Sequence, residues 1–481
     1  MVELPEAETD REQLSRYEML EALADFDDDL MEKVLEDVEP EKHEIYQNLT
    51  KDFQDGLIVP IFLGAAELMR GVERLLKALR HEIPDPAVAA ERAGATGGNI
   101  AQILKTYHTQ HGGKLSVARV WSGTISDGMT LNGQRLSGLS NMVGHDLKKL
   151  SSAAAGEIVA LGRLDDCATG DTLSDSNVEA LARAEQLPPV YSLAITAARR
   201  DDEVKMSTAL SKLTDEDPGL IVDHDADLGE LLLRGQGDIH LKLNVERMKS
   251  KYALEVTSAR PSIPYREAIS KSIQQHGRHK KQSGGHGQFG DVHLEIKPLP
   301  RGSGFEFVDK IVGGAVPKTY IPAVEAGVVG YLKRGPLGFQ VVDVQVTLYD
   351  GQFHAVDSSE IAFKTAGQIA MREGMPNCGP VLLEPILQVD VAVPSEFTPK
   401  VNGMVSSRRG QILGFEMREG WQGWDVTSAQ IPQSEMHDFI IELRSVTLGV
   451  GSFTSKFDHL QQLSGRGADE VINARSSDKA A

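Results

Sequence analysis

Two stretches of this chain, residues 190–262 and 386–460, carry the same succession of patterns: strand, helix, two strands, helix, strand. In the first, the pattern predicts strands at 190–195, 219–223 and 231–235 and helices at 205–216 and 240–252. In the second, a strand at 386–393 precedes Thr398-Pro399, a pair suited to opening a helix. Strands at 411–417 and 424–431, a helix at 434–448 and a strand at 451–457 complete it. This order lets two helices cover one face of a small sheet, a two-layer α/β sandwich. With 481 residues and two such units, the chain is multidomain, three to five domains at roughly 100–150 residues each.

The segments around them read differently. Residues 100–183 hold short alternating runs broken by glycine turns, the patterning of a small β-barrel. Between the two sandwiches, residues 263–385 predict a further α/β unit with strands at 291–296 and 340–348. One helix is opened by Pro322 and a second by a capping box over Asp357-Ser-Ser-Glu360. At the N-terminal side, residues 11–48 read as helix and 57–62 as a short buried strand. A helix then ends at Pro84-Asp85-Pro86, and Ala87–Asn99 reads as a linker. The tail after Gly465 is polar and is expected to fray.

The net charge of −20 argues against a polyanionic partner until its distribution is considered. Residues 1–50 hold 17 acidic against 4 basic side chains, net −13, which leaves −7 for the other 431 residues. Distant acid is screened beyond a Debye length of ~8 Å, so local basic clusters can still meet phosphate. Cys167 and Cys378 stand far apart without metal-type spacing. No metal site and no disulfide framework are expected, and a reducing cytoplasm fits. No apolar run reaches about 18 residues, and MVELPEAETD lacks a signal-peptide pattern. Asp165-Asp166, Asp201-Asp202 and Asp215–Asp217 sit at turns and helix ends and read as structural; no catalytic constellation stands out.

The stretch His276–Gln288 is the most informative. Arg278, Lys280 and Lys281 bring positive charge, followed by Gln282, Ser283, Gly284, Gly285 and His286. Glycine lets backbone approach a partner closely, and such a loop suits RNA phosphates and 2′-hydroxyls. A hairpin with solvated lysines explains the same residues. His354 precedes a helix start, a position as suited to capping as to contact. Arg408 and Arg409 end a predicted helix, where cations relieve the terminal dipole by ~0.3–1 kcal/mol.

The order of motifs carries the reading further. Gly113-Lys-Leu-Ser-Val-Ala-Arg-Val-Trp-Ser-Gly123 resembles the barrel signature of translational GTPases. Gly235-Gln-Gly-Asp-Ile-His-Leu241 resembles the third domain of elongation factor G, with Asp238 where that family usually has Glu. Gly285-His-Gly-Gln-Phe-Gly290, the run Phe305–Ala326 with Gly313-Gly314 and Tyr320–Glu325, and His354–Glu360 resemble its fourth domain. Arg408-Arg-Gly410 and Leu443-Arg-Ser-Val-Thr447 resemble its fifth. Each motif is weak alone; the ordered set, from about residue 55 to 475, is specific.

The resemblance implies five parts. Residues 1–86 are a remnant of the GTPase domain with part of its helical insert, and 98–183 a β-barrel. Residues 188–262 and 386–465 are ferredoxin-like βαββαβ sandwiches, and 263–385 a tip domain like ribosomal protein S5. It makes Arg278, Lys280, Lys281, Gln282, Ser283, Gly284, Gly285, His286 and His354 an RNA-binding tip, and Arg408 and Arg409 candidates for ribosomal RNA contact. The implied partners are the ribosome, transfer RNA at the decoding centre and, for the acidic helices, a ribosomal stalk protein. A membrane is not among them, and a monomer is expected. GTP and magnesium belong to the complete family member. This chain has no Gly-x-x-x-x-Gly-Lys-Ser/Thr and no Asn-Lys-x-Asp, only Gly64-Ala65-Ala66 where the family's last guanine-side loop reads Gly-Ser-Ala. No cofactor is therefore expected on it, and Met1 is compatible with a natural start or a cut. Two alternatives stay open: an inert or regulatory ribosome-binding fragment, and a ribosomal-protection or recycling relative.

Overall fold

The computed structural model describes residues 6–109, 113–144, 146–282 and 287–477. They fall into two compact units, Met1–Ala184 and Glu185–Ala481.

The first unit opens with three helices, Glu6–Ala24, Asp28–Leu35 and Lys42–Gln54, around a small core of Leu20, Leu23, Ala24, Leu30 and Ile45. The single helix expected over 11–48 is broken twice. Asp27 caps the second helix by accepting the Leu30 amide at 3.0 Å, and Pro40 precedes the third, where its ring would clash with a preceding turn. The buried strand expected at 57–62 does not form. Among the described residues no strand lies beside it, and Val59 and Ile61 are each 85% exposed. An extended segment needs a neighbour to satisfy its backbone before its apolar side chains can be buried in a sheet. The expected linker also contains a helix, Pro86–Arg92, because Asp85 caps it through the Ala87 amide and Pro86 fits its first turn.

Beyond it stands a six-stranded antiparallel sheet. Its spatial order runs Thr172–Ser174, Ile100–Thr109, Gly113–Ser122, Ile158–Gly162, Leu139–Val143, Asp146–Lys149. Ile103, Val120, Val159, Leu161 and Leu173 are among its buried side chains.

In the second unit, the strands Tyr191–Ala197, Ile221–Asp225, Glu230–Gly235 and Val256–Ala259 form one sheet, with the helices Glu203–Glu216 and Asp238–Tyr252. Numbered by their place in the chain, the strands lie in the order second, third, first, fourth. The strands Pro380–Pro394, Gln411–Met417, Trp424–Pro432 and Ser452–Leu463, with the helices Thr398–Ser407 and Phe439–Val446, repeat that order. The last helix is shorter than expected. A 3-10 turn, Gln433–Glu435, precedes it, and His437 beyond the turn meets Tyr191 of the other sheet, Nε2 to Oη 3.1 Å.

Two motif segments join these sheets. His240 Nδ1 accepts the Gln236 amide at 3.1 Å, so its Nε2–H donates to Asp217 at 2.8 Å and fixes the turn into the helix. Arg444 donates to the Gln236 carbonyl from the other sandwich. Leu210, Leu233, Val391, Val405, Ile431 and Phe439 belong to one continuous apolar cluster across both.

Between them, Ile273–Lys281 and Gln288–Pro298 form a hairpin, followed in space by Val344–Gln352 and then Phe305–Asp309, which pairs parallel. The helices Ile321–Leu332 and Glu360–Gly374 cover one face. Contact is close because the hairpin presents glycine. A Cβ on Gly277 would stand 2.4 Å from the Ala366 carbonyl oxygen, and one on Gly290 2.6 Å from that of Ala362. The expected fraying tail is instead a helix, Arg466–Ser477. Arg475 holds it by lying 5.6 Å from the Phe339 ring centroid and donating to the Gly338 carbonyl.

Candidate RNA interface

Three of the basic residues expected in a loop lie on a strand. Arg278, Lys280 and Lys281 pair with Asp291, Phe289 and Gln288 across the hairpin, and all three are exposed. Side chains on alternate residues share a face, so His276, Arg278 and Lys280 line the face turned away from the helices, opposite His293, Asp291 and Phe289. Arg278 is partly committed. Its Nε lies 3.5 Å from Asp291 Oδ2, and its guanidinium sits 5.3 Å from the Phe289 ring centroid. Gln282 is exposed at the end of the strand. Ser283, Gly284, Gly285 and His286 lie outside the described residues.

The loop after Val344–Gln352 meets this hairpin at its far end. The Phe289 amide donates to the Asp357 carbonyl at 2.8 Å, Ser358 Oγ donates to the Phe289 carbonyl at 3.0 Å, and the Gly287 amide donates to Asp357 Oδ1 at 3.1 Å. Gly287 is required there, since a Cβ would stand 2.8 Å from the Asp357 carboxyl carbon. Tyr320, from the helix-opening motif, stacks on Phe363 at 4.8 Å and donates to the Ser358 carbonyl, which ties the loop to the core.

These contacts correct the helix-cap reading. Ser359, not Asp357, caps the helix Glu360–Gly374, accepting the Ala362 amide at 3.3 Å. Asp357 holds the hairpin, and Glu360 is the first helical residue rather than the third that a capping box needs. His354 is more than half exposed. Its Nδ1 accepts the amides of Val356 and Asp357, which leaves the Nε2–H as its outward donor. Its ring centroid lies 6.3 Å from that of Phe289, so the basic hairpin and the His354 loop share one end of the domain.

Arg408 and Arg409 are held within the protein. Arg408 caps its helix end, pairs with Glu442 and donates to the Glu435 carbonyl. Arg409 adopts φ +56° and forks onto Glu384 through Nη1–Oε1 at 2.8 Å and Nη2–Oε2 at 2.9 Å, with Nε on Glu435 at 3.0 Å. Gly64, Ala65 and Ala66 form a tight turn in which the Ala65 amide donates to the Arg70 carbonyl. Cys167 and Cys378 are free and buried, and burial pushes the Cys378 thiol up to about 11. None of the described helices is long and apolar enough to cross a membrane.

Sequence reading missed three side chains at this end: Phe289, Asp291 and His293. The signal lies in the strand pairing, which sets Asp291 opposite Arg278 and His293 opposite His276, and no local pattern carries it.

The fold defines a multidomain protein of α/β and all-β parts, and family comparison makes the class specific. Residues 100–176 match elongation factor G domain 2, 188–260 its domain III, 261–379 its domain IV and 381–471 its C-terminus. An elongation factor G-like protein of Synechocystis sp. is 54% identical over 466 residues, 96% of this chain and 70% of the relative. A crystal structure from Thermus thermophilus is similar with a TM-score of 0.76 at 33% identity, over 99% of this chain and 72% of that one. The chain belongs to the elongation factor G family of translation factors.

Proposed function

We propose that this chain is the ribosome-engaging part of an elongation factor G-like protein, acting in the cytoplasm. It promotes movement of transfer RNA and messenger RNA when coupled to GTP hydrolysis. In this reading the two βαββαβ sandwiches are ferredoxin-like and hold a tip domain, like ribosomal protein S5, as a rigid arm. Residues 1–86 are a remnant of a GTPase domain. The observation that carries it is the meeting of the basic Gly-rich hairpin with the His354 loop through Asp357 and Ser358. That end carries the exposed Lys280, Lys281 and Gln282 and the His354 Nε2–H, donors suited to phosphate and 2′-hydroxyl groups.

A second reading, a regulatory ribosome-binding fragment, is favoured by the lack of a phosphate loop and of Asn-Lys-x-Asp in this sequence. Both readings require ribosome binding through the tip. Co-sedimentation with ribosomes across a salt series tests it. The log of affinity falls with log salt, and Lys280→Ala with Lys281→Ala lowers the slope by roughly 0.7–0.9 per phosphate contact removed. An unchanged slope and affinity would exclude this end as the contact. Restoring translocation by joining the chain to a nucleotide-hydrolysing domain separates the two readings.

A further inference from the structure

On the face of the hairpin turned away from the helices, His276, Asp291 and His293 bring one nitrogen each and a carboxylate oxygen within 4.8 Å of one another. His276 and His293 are direct cross-strand partners, and Asp291 follows two residues from His293 on the same face. His276 Nε2 lies 2.9 Å from Asp291 Oδ2, and His293 Nε2 lies 3.7 Å from Oδ1. The Asp291 side chain is only 4% exposed, yet its Oδ1 accepts no hydrogen bond. A buried carboxylate oxygen left without a donor is costly, and the two oxygens of this carboxylate face one imidazole each, Oδ2 toward His276 and Oδ1 toward His293.

We propose that His276, Asp291 and His293 form a divalent-metal site of zinc type. Two imidazoles and one carboxylate are the donor set that zinc accepts, with water in the fourth position. The residues can reach that geometry. The rings stack 4.4 Å apart and 14° from parallel, so they must splay to converge on one ion, and with 45% and 34% of their side chains exposed they have room to do so. Arg278 competes for Oδ2 from 3.5 Å, but it also has a seat on the Phe289 ring and can keep that when a metal takes the carboxylate. Tyr349, 5.9 Å from the His293 ring, and Asp350, paired across from His293, complete the surroundings. The bound ion would clamp the two strands together just below the RNA-facing end.

The test uses the untagged full chain, dialysed against a chelator. Zinc titration in competition with a chromophoric chelator should show one site, and cobalt in its place should give the intense visible bands of a tetrahedral ion. His276→Gln and His293→Gln should each weaken that site at least about tenfold while leaving the circular dichroism unchanged. His354→Gln, outside the cluster, should keep it. Zinc should also slow amide exchange in residues 273–281 of the unmodified chain and not of the double His276→Gln, His293→Gln variant. Equal zinc affinity in the unmodified chain and the double variant, or an exchange pattern indifferent to zinc, would overturn the site.

Discussion

Arg409 separates a structural from an RNA-contacting reading of the arginine pair. Its partner Glu384 is 5% exposed, whereas Arg409 itself is 45% exposed. Removing one member of a buried pair costs about 3–5 kcal/mol, and an exposed pair is worth about 0–1 kcal/mol. With one partner buried and the other open to water, Arg409→Ala should cost about 2–3 kcal/mol. The backbone supplies an internal control. Arg409 sits at φ +56°, just past the helix end, where the Gly410 amide bonds the Val405 carbonyl at 3.0 Å in a Schellman-type closure. Any L side chain is strained there, so Arg409→Gly loses the same pair but regains about 1 kcal/mol. Denaturant unfolding followed by tryptophan fluorescence is a suitable assay, because Trp421 and Trp424 lie in this sandwich and only Trp121 lies elsewhere. Alanine and glycine variants both within about 0.5 kcal/mol of the unmodified protein would refute the structural account. It would be replaced by RNA contact if ribosome affinity fell instead.

Two further outcomes follow from individual contacts and one from the sequence. Gly277→Ala drives a methyl against the Ala366 carbonyl and Ala370, and should destabilise the domain that carries the hairpin by about 1–3 kcal/mol, read as a lower unfolding midpoint. Burial holds the His437 pKa below the ordinary value of about 6.5, with Asp438 opposing and Arg260 assisting. The unfolded chain therefore takes up this proton first. Its contribution is present above that value and lost as pH falls below it, so a pH series should show a loss of stability that His437→Phe flattens. This chain should show no micromolar affinity for GTP with magnesium in calorimetry, because its sequence holds neither the phosphate-cradling nor the base-reading motif.

How much was legible in the sequence depended on whether the signal was local. The repeated strand and helix order was visible because alternation and helical periodicity are properties of neighbouring residues. Its spatial strand order was not, since Pro380–Pro394 pairs with three other strands far along the chain. The 57–62 run shows the limit of hydrophobicity: a continuous apolar run suits a buried strand but still needs a neighbouring strand. The capping box failed through competition, because Asp357 is drawn to the Gly287 amide 70 residues away and leaves the cap to Ser359. Arg408 and Arg409 looked like surface cations because their acidic partners, Glu384, Glu435 and Glu442, are distant in sequence. Asp291 was passed over because nothing local marks an acidic residue on a strand as buried.

The central claim, that the hairpin end meets ribosomal RNA beside the transfer RNA site, is open to direct probing. Cys167 and Cys378 are both buried, so Gln282→Cys would offer one accessible thiol. An iron chelate tethered at that thiol generates hydroxyl radicals that cut nearby RNA. The account predicts cleavage of small-subunit ribosomal RNA around the decoding centre when the chain is bound. Bound chain that cuts only distant RNA, or none, would contradict it.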